Sequence, residues 1–180
     1  HFCFNRSITG YINMHIYDIT IPAWTNSLKC LKAILAKAKA HATEQGYDPD
    51  VLLTLRLFPD MFPLSRQVQI ACDLVARGGA RLSNSELPSF ADDETTLEQL
   101  EQRVDKALAF IADLNADDLE GSEERELEIP AGGDNTMTLT GRQYVVAFVA
   151  PNLYFHMTTT YNLLRGNGIP LGKRDFLMAP

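Results

Sequence analysis

The chain is short of long apolar runs, of cysteine and of positive charge, and each shortage excludes a class of protein. Its longest apolar stretches run for only a few residues, Tyr144 to Ala150 being one, whereas a helix crossing a bilayer needs roughly 20. No membrane partner is expected. Three cysteines, Cys3, Cys30 and Cys72, are an odd number at no metal-ligand spacing, which argues against a disulfide-stapled secreted scaffold and for a reducing, cytoplasmic setting. Sixteen Lys and Arg stand against 23 Asp and Glu, a net charge of -7. That balance argues against a nucleic-acid partner, whose phosphates need neutralising. Also missing are HExxH, paired CxxC, a Walker loop and a GxSxG elbow, the common signatures of zinc proteases, P-loop enzymes and α/β-hydrolases.

What is present is 180 residues of ordinary globular composition, enough for one domain with a substantial core. Residues 1–13 carry Phe2, Phe4, Ile8 and Ile12 between polar residues, without the layout of a secretory signal. They are expected to be an N-terminal extension, with an ordered native arm as the alternative, and residues 14–180 a single domain. Thr20 and Pro22 are expected to open a first helix whose stripe is Trp24, Leu28, Leu31, Leu35, Ala38 and Ala42, with Gly46 as its stop. Asp48 and Pro49 begin a second helical region, broken between Phe58 and Pro63. The main second helix follows, with Leu64, Val68, Ala71, Val75, Gly79 and Leu82 inward. Its Gly78-Gly79 pair either lets another helix approach closely or loosens the last turns.

Ser83 to Asp93 has no periodicity and reads as a long crossover. Thr96 and Gln99 have capping-box spacing ahead of a third amphipathic helix, from Leu97 to Leu114. Between Glu126 and Leu139 the period changes to two, which predicts a β-hairpin turning at Ala131 to Asn135. Thr140 and Gln143 repeat the capping-box spacing, and the fourth helix runs from about Gly141 to Arg165. The expected class is all-α: a four-helix bundle with a small β-hairpin between its third and fourth helices, and sites between facing helices.

The fourth helix carries the functional signal. Its inward stripe, Val145, Val149, Asn152, His156, Thr159 and Leu163, has three polar members where a purely structural bundle would be apolar. Pro151 beside them is expected to kink the helix and shape a cavity. Tyr161 and Thr160 belong to the same region. On the second helix Gln67 is the nearest polar residue to the core stripe, and Asp73 stands at its border. One histidine at His156 and one at His41, even with Asp73, fall short of the three or four ligands zinc normally takes. The bland alternative makes His156 a core histidine bonded to a neighbouring helix, with Asp73 facing solvent.

The segments APNLYFHMTTTYNLLRGNG from Ala150, PDMFPLSRQVQIACD from Pro59 and the late IPLGKRDF resemble an uncharacterised branch of the DinB/YfiT-like putative metalloenzyme superfamily. The likeness runs from about Met14 to Phe176. It implies an up-down-down-up bundle, frequent homodimers and, in better understood members, a divalent metal held by three histidines in thiol-dependent transferases and isomerases. His156 looks like the first ligand of the fourth helix. Thr160 stands where the second would be, and the second helix has no histidine. Two of three expected ligands are absent, which weakens the metal and thiol-transfer expectations and leaves the location of a pocket between the second and fourth helices.

These strands combine into an expectation of a small-molecule binder or enzyme of isomerase or group-transfer type. His156 would be the general acid or base and Tyr161 a donor, with Gln67, Asp73, Asn152 and Thr160 contacting the ligand. The alternatives are a non-catalytic dimeric stress or interaction protein and a divalent-metal thiol transferase.

Overall fold

The computed structural model describes residues 14–179, so the expectation for residues 1–13 lies outside the described residues. Helix α1 (Ile16–Gln45) begins a turn earlier than Thr20 and Pro22 suggest, with Pro22 inside it. The reason is a cap that apolar periodicity does not show: the His15 side chain accepts the Tyr17 N–H at 3.1 Å. Ile16 and Ile21 then extend the buried stripe. Leu28, Leu31 and Leu35 are fully enclosed, each contributing about 1.5–3 kcal/mol of apolar burial. Gly46 ends the helix at φ 76°, a left-handed cap that favours glycine.

Asp48 then caps a 3-10 turn, Pro49–Thr54. The Asp50 carboxylate reaches across to accept the Leu97 N–H at 2.8 Å, joining this turn to a later helix start. Helix α2 (Leu64–Ser83) follows the break at the two prolines, and α3 (Leu97–Ala112) opens with the capping box of Thr96 and Gln99. The paired glycines of α2 face two neighbours: a Cβ on Gly78 would meet Trp24 of α1 at 3.1 Å, and one on Gly79 would meet Leu114, just past the end of α3, at 2.7 Å. Absent side chains let the neighbours close in. After a second 3-10 turn (Asp117–Leu119), strands β1 (Glu126–Pro130) and β2 (Thr136–Thr140) pair antiparallel, with Leu127 opposite Leu139 and Ile129 opposite Met137. Leu127 and Ile129 are buried, which gives this short hairpin the packing that an isolated one lacks.

Helix α4 starts at Gly141, whose Cβ position would lie 2.0 Å from the Ser122 carbonyl oxygen. It comprises Gly141–Gln143, a π-helical stretch Tyr144–Val149 and Ala150–Gly166. The kink expected at Pro151 therefore takes the form of a widened turn before it. The Ala150 N–H bonds the Val145 carbonyl five residues back, which eases the clash between a proline ring and the preceding turn. A short α5 (Lys173–Leu177) returns to α1, tied by Lys37 and Asp175 at 2.6 Å. Helix α2 packs on both α3 and the Ala150–Gly166 part of α4, and α1 packs on α3. The architecture is thus mostly helical with one two-stranded hairpin. Among the described residues, no helix is long and apolar enough to cross a membrane.

Candidate functional site

Two of the polar residues singled out in the sequence meet. His156 Nδ1 lies 2.7 Å from Gln67 Oε1 across the α2–α4 interface, with Gln67 1% and His156 8% exposed. Gln67 is placed one turn into α2, where its Nε2 donates to the Phe62 carbonyl at 3.0 Å. That second bond fixes the amide orientation, because only the NH2 group can donate to a carbonyl. Gln67 Oε1 therefore faces the ring as an acceptor, and Nδ1 must carry the proton. The neutral imidazole is left with its lone pair on Nε2. Nε2 has no protein partner among the described residues and is not a fully enclosed atom. Burial, and then the positive charge of Arg66, push the His156 pKa below its ordinary 6.5. The Phe155 ring stands edge-on to the imidazole at 5.3 Å.

The remaining candidates go elsewhere. Thr160, one turn beyond His156, is fully buried and its hydroxyl has no partner among the described residues. Asn152 turns to its own helix, donating to the Phe148 carbonyl at 2.6 Å in the region of the π-turn. Tyr161 stands edge-to-face with Phe176 at 6.4 Å, beside α5. His41 is half-buried near the end of α1, and His15 is occupied as a cap, with Glu120 3.0 Å from its Nε2. Asp73 belongs to an ion-pair cluster: Arg103, 1% exposed, is 2.5 Å from Asp73, 2.7 Å from Asp92 and 2.8 Å from Glu94. The Phe90 ring covers its guanidinium at 4.5 Å. Burial opposes charge in Asp92 and Glu94, but hydrogen bonds outweigh it: those from Arg66 and Arg103 lower Asp92, and chiefly that from Arg103 lowers Glu94.

Arg103 was hidden in the sequence among the charges of the third helix. Its spacing held a signal nonetheless, since it lies three residues after Leu100 and four before Ala107, on the buried stripe. The cluster fastens the long crossover to α2 and α3, and it explains why an acidic stretch without secondary structure has a fixed course.

A cavity of about 250 Å³ does lie between α2 and α4, but further along the helices from His156. It is closed on one side by β1 and lined by Arg66, Asp73, Arg77, Arg81, Tyr144 and Phe148 together with neighbouring apolar residues. Of the expected site residues, Asp73 alone reaches it. The missed signal was again spacing: Arg66, Ile70, Arg77 and Arg81 recur on one face of α2.

The three-histidine metal site of the resembling superfamily can be tested against these side chains. Around His156 the side chains offer one imidazole nitrogen, the Gln67 amide bonded to it and, one turn on, the Thr160 hydroxyl. Among the described residues, no group of three or more His, Cys, Asp and Glu could hold a metal ion. One imidazole with two neutral oxygen groups does not fit a three-histidine centre.

A family model described as Domain of unknown function (DUF1993) matches residues 16–177. A solved crystal structure of a DinB family member protein from Shewanella denitrificans is similar at 40% sequence identity, over 92% of this chain and 93% of that one, with a TM-score of 0.84. No curated protein matches.

Proposed function

The chain belongs to the family described as Domain of unknown function (DUF1993), and on that premise we propose that it is a DinB-like protein that binds and transforms a small molecule beside the Gln67–His156 pair. The reading takes residues 14–180 as one unit whose helices run up-down-down-up, and the chemistry as isomerisation or group transfer. His156 acts as the proton-transfer group through Nε2. A single relay, Phe62 carbonyl to Gln67 amide to His156 Nδ1, carries the proposal. It presets the tautomer that a general base needs, and the lowered pKa keeps the ring neutral at physiological pH. The unpartnered Thr160 hydroxyl one turn away is a further group for a ligand to engage.

A second reading is favoured by the burial of both partners: the pair sets the register of α2 against α4 in a non-catalytic, dimeric interaction protein. Exposed Val146 and Phe155 on α4 would then belong to the subunit contact. A small-molecule library screened by NMR, with the imidazole resonances of His156 as reporter, separates the two. Ligands that shift those resonances and lose affinity in His156→Gln support the catalytic reading. Ligands that bind without touching them, or an imidazole that answers to none, support the register reading.

A further inference from the structure

We propose that the cavity between α2, the first turns of α4 and β1 is a binding site for a small organic carboxylate, with Arg81 and Tyr144 as its anion-recognising pair. This site is separate from the His156 reading and stands or falls without it.

Arg81 stands apart among the arginines that line the cavity. Arg66 is 2.7 Å from Asp92, and Asp73 is already held by Arg103 at 2.5 Å, so Arg77, at 3.6 Å, has only its second oxygen. Arg81 has no carboxylate within 4.0 Å among the described residues; its side chain donates only to the Tyr144 hydroxyl, at 3.2 Å. Of the three arginines that line the cavity, Arg66 and Arg77 each have a carboxylate within 4.0 Å and Arg81 has none among the described residues, which leaves one unpaired positive charge there in a chain whose net charge is -7. A monoanion completes the set.

Tyr144 supplies an independent observation. Tyr144 is only 1% exposed, yet it lines the cavity, and its hydroxyl accepts from Arg81 and has no acceptor for its own proton among the described residues. Burial holds the phenol protonated more strongly than Arg81 favours its ionisation. A guanidinium and a phenol O–H side by side, 3.2 Å apart, are donors that a carboxylate accepts well. The π-turn beginning at Tyr144 sets this geometry. It brings Phe148 under Tyr144 as a stacked ring, centroids 5.7 Å apart and planes 21° from parallel, and such turns often sit at functional sites.

The other walls define the rest of the ligand. Ile70, Leu74, Ile129 and Phe148 offer apolar surface, so the carboxylate carries a hydrocarbon or single-ring body. The volume of about 250 Å³ is below the range of drug-sized pockets, which keeps that body small. A phosphate dianion would exceed the one available charge and face Asp73 at the rim.

Calorimetric titration of the full chain at low ionic strength with 4-phenylbutyrate, 4-phenylbutanol, phenyl phosphate and inorganic phosphate tests the assignment. The acid should bind about tenfold or more tightly than the alcohol of the same skeleton, as charge-assisted hydrogen bonds predict. Arg81→Met should erase that preference and Tyr144→Phe should reduce it severalfold. Should Arg81→Met fail to fold, Tyr144→Phe decides alone, since it removes only one oxygen. Undetectable acid binding, an acid no tighter than the alcohol, or a preference unchanged in the variants would overturn the proposal. So would inorganic or phenyl phosphate binding as tightly as the acid.

Discussion

Gln67 and His156 are 89 positions apart, and 2.7 Å separates the amide oxygen from the imidazole Nδ1. The pair joins the two helices that carry the candidate site, and its energetics can be separated from its chemistry. His156→Ala should destabilise the fold by about 1–3 kcal/mol, because it leaves the buried Gln67 oxygen without its donor. Gln67→Leu should cost a similar amount by stranding Nδ1–H. The double variant should lose less than the sum, with a coupling of about 1 kcal/mol or more, measured by urea unfolding of all four proteins.

Arg103 and its three carboxylates should matter more to stability. Arg103→Met removes the cation that, among the described residues, alone touches all of them, and breaking such a buried set costs about 3–5 kcal/mol. Its pH signature follows from the lowered pKa values of Asp92 and Glu94. Their stabilisation is complete above the ordinary values of 3.8 and 4.5 and is lost as pH falls through the lowered ones. Thermal unfolding across that acid range should therefore show a steeper loss for the parent chain than for Arg103→Met.

Gly141 should resist any substitution. Its φ is not the constraint; the Ser122 carbonyl oxygen, 2.0 Å from where a Cβ would stand, is. Gly141→Ala must push apart backbone from backbone at the junction of hairpin and helix, at a cost of about 3 kcal/mol. Hydrogen exchange should locate the loosening at the Gly141 N–H, which bonds the Arg125 carbonyl at 3.0 Å, while amides of α1 stay protected.

Much of this architecture was legible in the residues. Period and capping boxes marked the helices, the alternation around Leu127 and Met137 marked the hairpin, and polar interruptions at or beside two apolar stripes pointed to Gln67 and His156. What escaped were contacts between elements distant in sequence. Nothing local announces that Asp73 will meet Arg103, or that the expected consequence of Pro151 will be a π-turn displaced toward Tyr144. The cavity was missed for a related reason: arginines on a helix read as solvated charge until the facing helix supplies an aromatic floor.

The position of one proton underlies the chemistry of the Gln67–His156 pair, and long-range nitrogen-15 NMR of the His156 ring across a pH titration locates it. The Nδ1–H tautomer is expected at neutral pH, with a pKa below 6.5, because the folded environment disfavours the charged ring. Its contribution to stability would then be complete above 6.5 and lost as pH falls through the lower folded-state value. An Nε2–H tautomer, or a pKa at or above 6.5, would contradict this expectation.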